Sequence, residues 1–98
     1  MYVRYIAVPT SHDAAKDAAN ISLRGLPFVM VDRMDWDTAL IDEDLRHDYA
    51  ERRFRVLGFI DHRLRAVVFM PRAGKVHVIS LRKANARQVK RYAKATGS

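Results

Sequence analysis

The stretch from Glu51 to Ile60 alternates, and that alternation puts Glu51, Arg53 and Arg55 on one face of an expected strand. Glu51 is one of only two acids after residue 50, the other being Asp61 in an expected turn. Ser80 and Arg82 share a face on a later strand, and Arg72 stands at the turn before it. Cleavage of RNA through its own 2′-hydroxyl needs a base, cations and a proton for the leaving 5′-oxygen, and a carboxylate among clustered guanidiniums can supply the first two. The carboxylate serves as base, and the cations meet the charge that develops on the phosphorane, so no metal ion is needed. Each residue also has a plainer reading. Glu51 would form an ion pair that settles Arg53, and an Arg82-Lys83 pair by itself would only solvate the start of a helix. Arg and Lys have high ordinary pKa values, so the clustered cations are poor donors of the leaving-group proton.

Other chemistries find little support. The four histidines, His12, His47, His62 and His77, lack ligand spacing such as i, i+4 on one helix, so no metal site and no cofactor is expected. Without cysteine there is neither a disulfide nor a thiolate site. No phosphate-binding glycine loop and no G-x-S-x-G occurs. Tyr49 and Tyr92 are candidates for stacking on exposed bases, although Tyr92 falls on the inner stripe of a helix and reads more naturally as core. Trp36 would either anchor a partner chain or cover the core.

The elements that must hold these residues divide by charge. Residues 1–50 carry five Lys or Arg against nine Asp or Glu, and residues 51–98 carry thirteen against two, for a net +7. Solvation alone gives no reason to separate the signs, so a polyanionic partner is expected for the second half. With 98 residues, 49% hydrophobic and 30% charged, the chain reads as one globular domain. No apolar run approaches the roughly 18 residues needed to span a bilayer, and a soluble cytoplasmic protein with no membrane partner is expected.

The elements read as follows. A strand is expected at 2–8, then a helix at about 11–23 with Ser11 as N-cap and Gly25 closing it. Leu26-Pro27 opens a shorter helix carrying Phe28, Val31 and Met34. The acidic 35–48 stretch is irregular, with a short strand at Thr38–Ile41 and a turn at Asp42-Glu43-Asp44. Strands are expected at 51–60, 64–70 and 75–81, joined by turns at Asp61-His62-Arg63 and Pro71–Gly74. Asn85 caps a last helix, 86–94, whose inner stripe is Ala86, Val89, Tyr92 and Ala93, with Arg87, Lys90, Arg91 and Lys94 outside. The sum is an α+β domain with its helices on one face of an antiparallel sheet of three to four strands.

Several of these segments, in order, resemble a known family. Asp13-x-x-Lys16-x-x-x-Asn20, followed by Gly25 and Phe28, is similar to the opening of BrnT-type toxins of the RelE-like ribonuclease group. Glu51-Arg52-Arg53-Phe54-Arg55-Val56-Leu57-Gly58 resembles that family's E-x-R-x-x-x-x-G strand. Pro71-Arg72 and Ile79-Ser80-Leu81-Arg82-Lys83-Ala84, then Tyr92, resemble its T-x-R turn and I-S-x-R-x-A segment. The chain departs from the pattern at four places. His12 stands where the family has Trp, Leu23-Arg24-Gly25 where it has Lys-His-Gly, Met70 where it has Thr, and Gln88 where Glu is common.

The resemblance covers residues 12–93 and implies a RelE-like fold: an N-terminal strand and two helices, the sheet, and a C-terminal helix. It also implies a type II toxin that cleaves RNA without metal, inhibits translation and is neutralised by a BrnA-like antitoxin in a hetero-oligomer. On that footing Glu51 is general base or site organiser, Arg53 and Arg72 clamp phosphate, and Arg82 stabilises the transition state. Lys16, Arg24, Arg55, Ser80 and Lys83 contact RNA. The alternative is a basic module that binds nucleic acid or a partner without catalysis, which the same cationic face would serve.

Overall fold

Five strands form a single sheet in the computed structural model, which describes residues 8–97. They are β1 (Thr10–His12), β2 (Leu40–Glu43), β3 (Phe54–Ile60), β4 (Arg63–Arg72) and β5 (Lys75–Lys83), in the order β1-β5-β4-β3-β2. β1 runs parallel to β5, and every other pairing is antiparallel. The expected strand at 2–8 lies outside the described residues apart from Val8, which is irregular. The α+β class holds, but the sheet is larger than expected and is mixed.

The helix α1 (Ala14–Arg24) starts three residues later than expected. Its N-cap is Asp13, whose carboxylate accepts from the Ala15 amide at 3.0 Å, because Ser11 is already committed to β1. Gly25 ends α1 with φ 70°, a left-handed conformation that favours glycine. Phe28–Arg33 is a 3₁₀ helix, and a further 3₁₀ turn covers Trp36–Thr38.

Asp42 and Glu43, expected in a turn, belong instead to the edge strand β2. The repulsion expected of an acidic strand is relieved across the ladder, where Arg55 donates to Asp42 and Arg52 to Glu43. The turn between β3 and β4 has two residues, Asp61 and His62, both at positive φ (51° and 70°), while Ala73 and Gly74 serve between β4 and β5. Consecutive positive φ values match the twist of antiparallel strands.

The expected placement of the helices on one sheet face is corrected. Phe28, Val31 and Met34 cover one face, against Val56, Ile60, Val67, Phe69, Val78 and Leu81. The helix α2 (Ala86–Thr96) covers part of the other, where Tyr92 joins Leu57, Leu64, Ala66 and Ala84. Leu57, Leu64 and Ala66 alternate with the first set along the strands and require their own cover. Asn85 and Gln88 form a reciprocal capping box at the start of α2.

Val89, expected on the inner stripe of α2, is 47% exposed, and Arg87, Gln88 and Arg91 turn toward a cleft against the sheet. Among the described residues no helix is long and apolar enough to cross a membrane.

Candidate active site

The strand registers set out the polar groups in rows on the sheet face that α2 partly covers. One row runs Ser11, His77, Met70; the next Ser80, Val68, Arg55, Asp42; the next Arg82, Ala66, Leu57, Leu40. Arg72 shares this face with Met70 and Val68 by alternation along β4. A bulge makes the rows possible. Val68 pairs with Ser80 but Phe69 pairs with Val78, so Ile79 is an extra residue on β5. Beyond it Val78 and Leu81, three positions apart, both point into the same core, and His77 comes to share a face with Ser80 and Arg82.

At one end of this face four side chains form a line. Glu51 accepts from Nη2 of Arg72 with both carboxylate oxygens, at 3.1 and 3.3 Å. Nη1 of Arg72 lies 3.3 Å from Nε2 of His77, and Nδ1 of His77 lies 2.9 Å from Oγ of Ser11. A guanidinium only donates, so Nε2 accepts, and the imidazole carries its proton on Nδ1, which donates to Ser11. His77 is buried at 8% exposure. Burial first, and then the Arg72 cation, pull its pKa below the ordinary 6.5, with His12 adding to the fall and Asp13 and Glu51 opposing it. The ring is therefore neutral near pH 7.

At the other end lies a cleft of about 320 Å³ between the sheet and α2, and five arginines line it: Arg46, Arg55, Arg82, Arg87 and Arg91. Arg82 donates to Oε1 of Gln88 at 3.1 Å, the oxygen that also accepts the Asn85 amide of the capping box. Asp42 takes both Arg55 (2.9 Å) and Arg91 (3.2 Å). Arg46 holds Asp44, a buried carboxylate that also accepts from the Tyr49 hydroxyl. That carboxyl lies well below the usual range, mainly through the Arg46 guanidinium. The Arg46 amide and Tyr49 add to the effect, against an opposing effect of burial.

The expected site residues thus divide. Glu51 and Arg72 meet directly, so the carboxylate settles Arg72 and not Arg53. Arg53 lies over the ring of Tyr49, 4.3 Å from its centroid, and its buried Nε has no partner among the described residues. Arg55 and Arg82 meet in the cleft, and Ser80 shares their face. Arg72 lies six positions along β4 from Ala66, the partner of Arg82, or about 20 Å. As they stand, Arg72 and Arg82 do not converge on one phosphate.

Lys16 and Arg24 lie on α1, off these rows, and Arg24 donates to Asn20, which ties α1 to the Leu81 carbonyl. Lys83 pairs with Arg65 and alternates onto the opposite face from Arg82.

Sequence reasoning missed Ser11, His77, Arg87, Gln88 and Arg91. The adjacent apolar pair Val78-Ile79, which breaks the alternation of β5, was the available signal for the bulge that brings His77 across.

Residues 12–88 match the family model described as the ribonuclease toxin BrnT of type II toxin–antitoxin systems. Direct comparison with curated proteins gives no match. Among solved structures the fold is similar to the 1.1 Å crystal structure of the Brucella abortus ribonuclease toxin BrnT. The TM-score is 0.62 at 24% identity, covering 80% of this chain and 97% of that one. Family membership implies RNA targets and an antitoxin partner. The chain belongs to the BrnT family of ribonuclease toxins of type II toxin–antitoxin systems.

Proposed function

We propose that this toxin cuts single-stranded RNA in the cytoplasm without a metal ion, so inhibiting translation, and that a BrnA-like antitoxin silences it by covering the cationic face. The observation that carries this reading is the set of rows that gathers Arg55, Arg72 and Arg82 on one sheet face, with Arg87 and Arg91 turned toward it from α2. Guanidiniums carried on rigid strands stand ready to meet the charge that develops on a phosphorane.

Arg72 takes the scissile phosphate, and Glu51 acts as its organiser, holding that guanidinium at this end of the face with both carboxylate oxygens until RNA replaces it. Arg53, stacked on Tyr49, supports the same end of the face. Arg82, with Arg55, Arg87 and Arg91, binds the strand further along, at a phosphate other than the reacting one. That revises the transition-state role expected for Arg82, in keeping with the length of strand that separates it from Arg72.

The test is incubation with single-stranded RNA in EDTA. Cleavage to 2′,3′-cyclic phosphate ends is expected, falling about a hundredfold or more in Arg72→Gln. Adding the antitoxin abolishes both cleavage and RNA binding. A folded protein that binds RNA and leaves it intact is a binding module instead, and the enzymatic reading fails.

A further inference from the structure

The line Glu51–Arg72–His77–Ser11 leaves one group unused. His77 is the buried histidine, and its environment gives it more than a packing role. A core imidazole is ordinarily satisfied by fixed polar groups on both nitrogens. Here only Nδ1 has a fixed partner, the Ser11 hydroxyl on β1. Nε2 faces the guanidinium of Arg72, a side chain that is half exposed and free to follow a phosphate.

We infer that His77 is the catalytic base of the cleavage reaction, with Ser11 fixing its tautomer and Arg72 uncovering its Nε2 when that guanidinium moves onto the scissile phosphate. This rests on the ribonuclease reading above and supplies the proton acceptor which that reading leaves open. An imidazole is the side chain whose ordinary pKa lies nearest physiological pH, where general bases are most effective.

As O2′ bonds to phosphorus, Nε2 takes the 2′-hydroxyl proton. The P–O5′ bond breaks, and a water molecule protonates O5′. The hydroxide so formed recovers the proton from the imidazolium, leaving a cyclic phosphate, a 5′-hydroxyl and neutral His77. The Nδ1–H bond to Ser11 persists throughout and stabilises the imidazolium while it exists. Burial keeps the ring neutral, and so able to accept, at pH 7. The titratable and charged groups that act on it are Arg72 from β4, Glu51 from the segment before β3, and His12 and Asp13 at the junction of β1 and α1.

The experiment measures kcat/KM on a short RNA in EDTA from pH 4.5 to 8, with RNA binding measured alongside. The wild type should lose activity on the acid side as His77 takes a proton, with a midpoint below 6.5. His77→Gln keeps an oxygen able to accept from Arg72 but cannot take the proton. It should bind RNA as wild type does, lose roughly 10²–10⁴ in rate, and lose the acid limb from whatever rate remains. Ser11→Ala, which leaves the ring in place, should cut kcat and move the acid limb while KM holds, and it carries the test if His77→Gln does not fold. Either variant with wild-type rate and an unmoved acid limb overturns the assignment and leaves the ribonuclease reading intact. A folded wild-type protein that cuts no RNA overturns both.

Discussion

Tyr92 fastens α2 to the sheet, and its truncation should release the helix. The ring is 5% exposed, packs edge-on against Phe59 with centroids 5.4 Å apart, and fills the cluster of Leu57, Leu64, Ala66 and Ala84. Its hydroxyl donates to the Thr38 carbonyl at 2.7 Å. Removing a buried aromatic ring costs about 3–5 kcal/mol, and the hydroxyl bond accounts for about 1 of that. Tyr92→Phe should therefore lower Tm by roughly 4–8 °C, and Tyr92→Ala by three times that or more.

Polar attachments of α2 to the sheet include Arg91–Asp42 and Arg82–Gln88. Exposed polar pairs of this kind contribute about 1 kcal/mol at most, so they do not replace the ring. Native-state hydrogen exchange gives the decisive readout: in Tyr92→Ala the amides of 89–96 should exchange well before those of β3 and β4. A drop in Tm below about 4 °C for Tyr92→Ala, or α2 amides still protected to the level of the central strands, would refute this account of how α2 is held.

Two further predictions concern the scaffold. A Cβ on Gly58 would lie 2.9 Å from Sδ of Met34 and 3.3 Å from Cβ of Ala39. Met34 is itself buried, so Gly58→Ala should destabilise by about 1–3 kcal/mol in urea unfolding, and Met34→Ala in the same chain should recover part of the loss. The depressed pKa of Asp44 adds stability that is present above the unfolded value of about 3.9 and is lost as pH falls through the lower folded value. The urea midpoint should thus fall below about pH 4, and that part of the fall should disappear in Asp44→Asn.

The sequence made the strands legible wherever alternation was unbroken and turns were marked. Phe54 to Ile60 split between the two faces as their pattern requires, and Gly25 and Asn85 end and begin helices as their types suggest. Three features depended on partners distant in the chain. Thr10–His12 is strand because β5 offers it an edge, and the same pairing takes Ser11 away from capping. Asp42 and Glu43 extend into β2 only because Arg55 and Arg52 neutralise them from the neighbouring strand. The bulge at Ile79 then decides which residues share the cationic face. Strict alternation from Lys75 would set His77 opposite Ser80 and Arg82, and a one-residue slip reverses that. Glu51 and Arg72 both stand out in the sequence by their types and positions. Their direct contact does not, since it depends on the β3–β4 register continuing beyond the start of β3.

The division of charge along the chain also takes on a different meaning once folded. Acids of the first half lie against arginines of the second: Asp42 on Arg55 and Arg91, and Glu43 on Arg52. The apparent excess of the basic half is therefore partly spent inside the molecule. On the cationic face Arg53, Arg82 and Arg87 have no carboxylate partner among the described residues, while Arg72 has an exposed one that a phosphate can replace. Exposed ion pairs are weak, so exchanging Glu51 for a phosphate on Arg72 costs little, whereas opening the double contact of Asp42 costs more. RNA should then be drawn to the arginines that lack a partner and to Arg72, and the counterions it releases should follow that smaller set and not the thirteen cations of the second half. The same acids that reduce the field elsewhere leave it concentrated on Arg53, Arg72, Arg82 and Arg87.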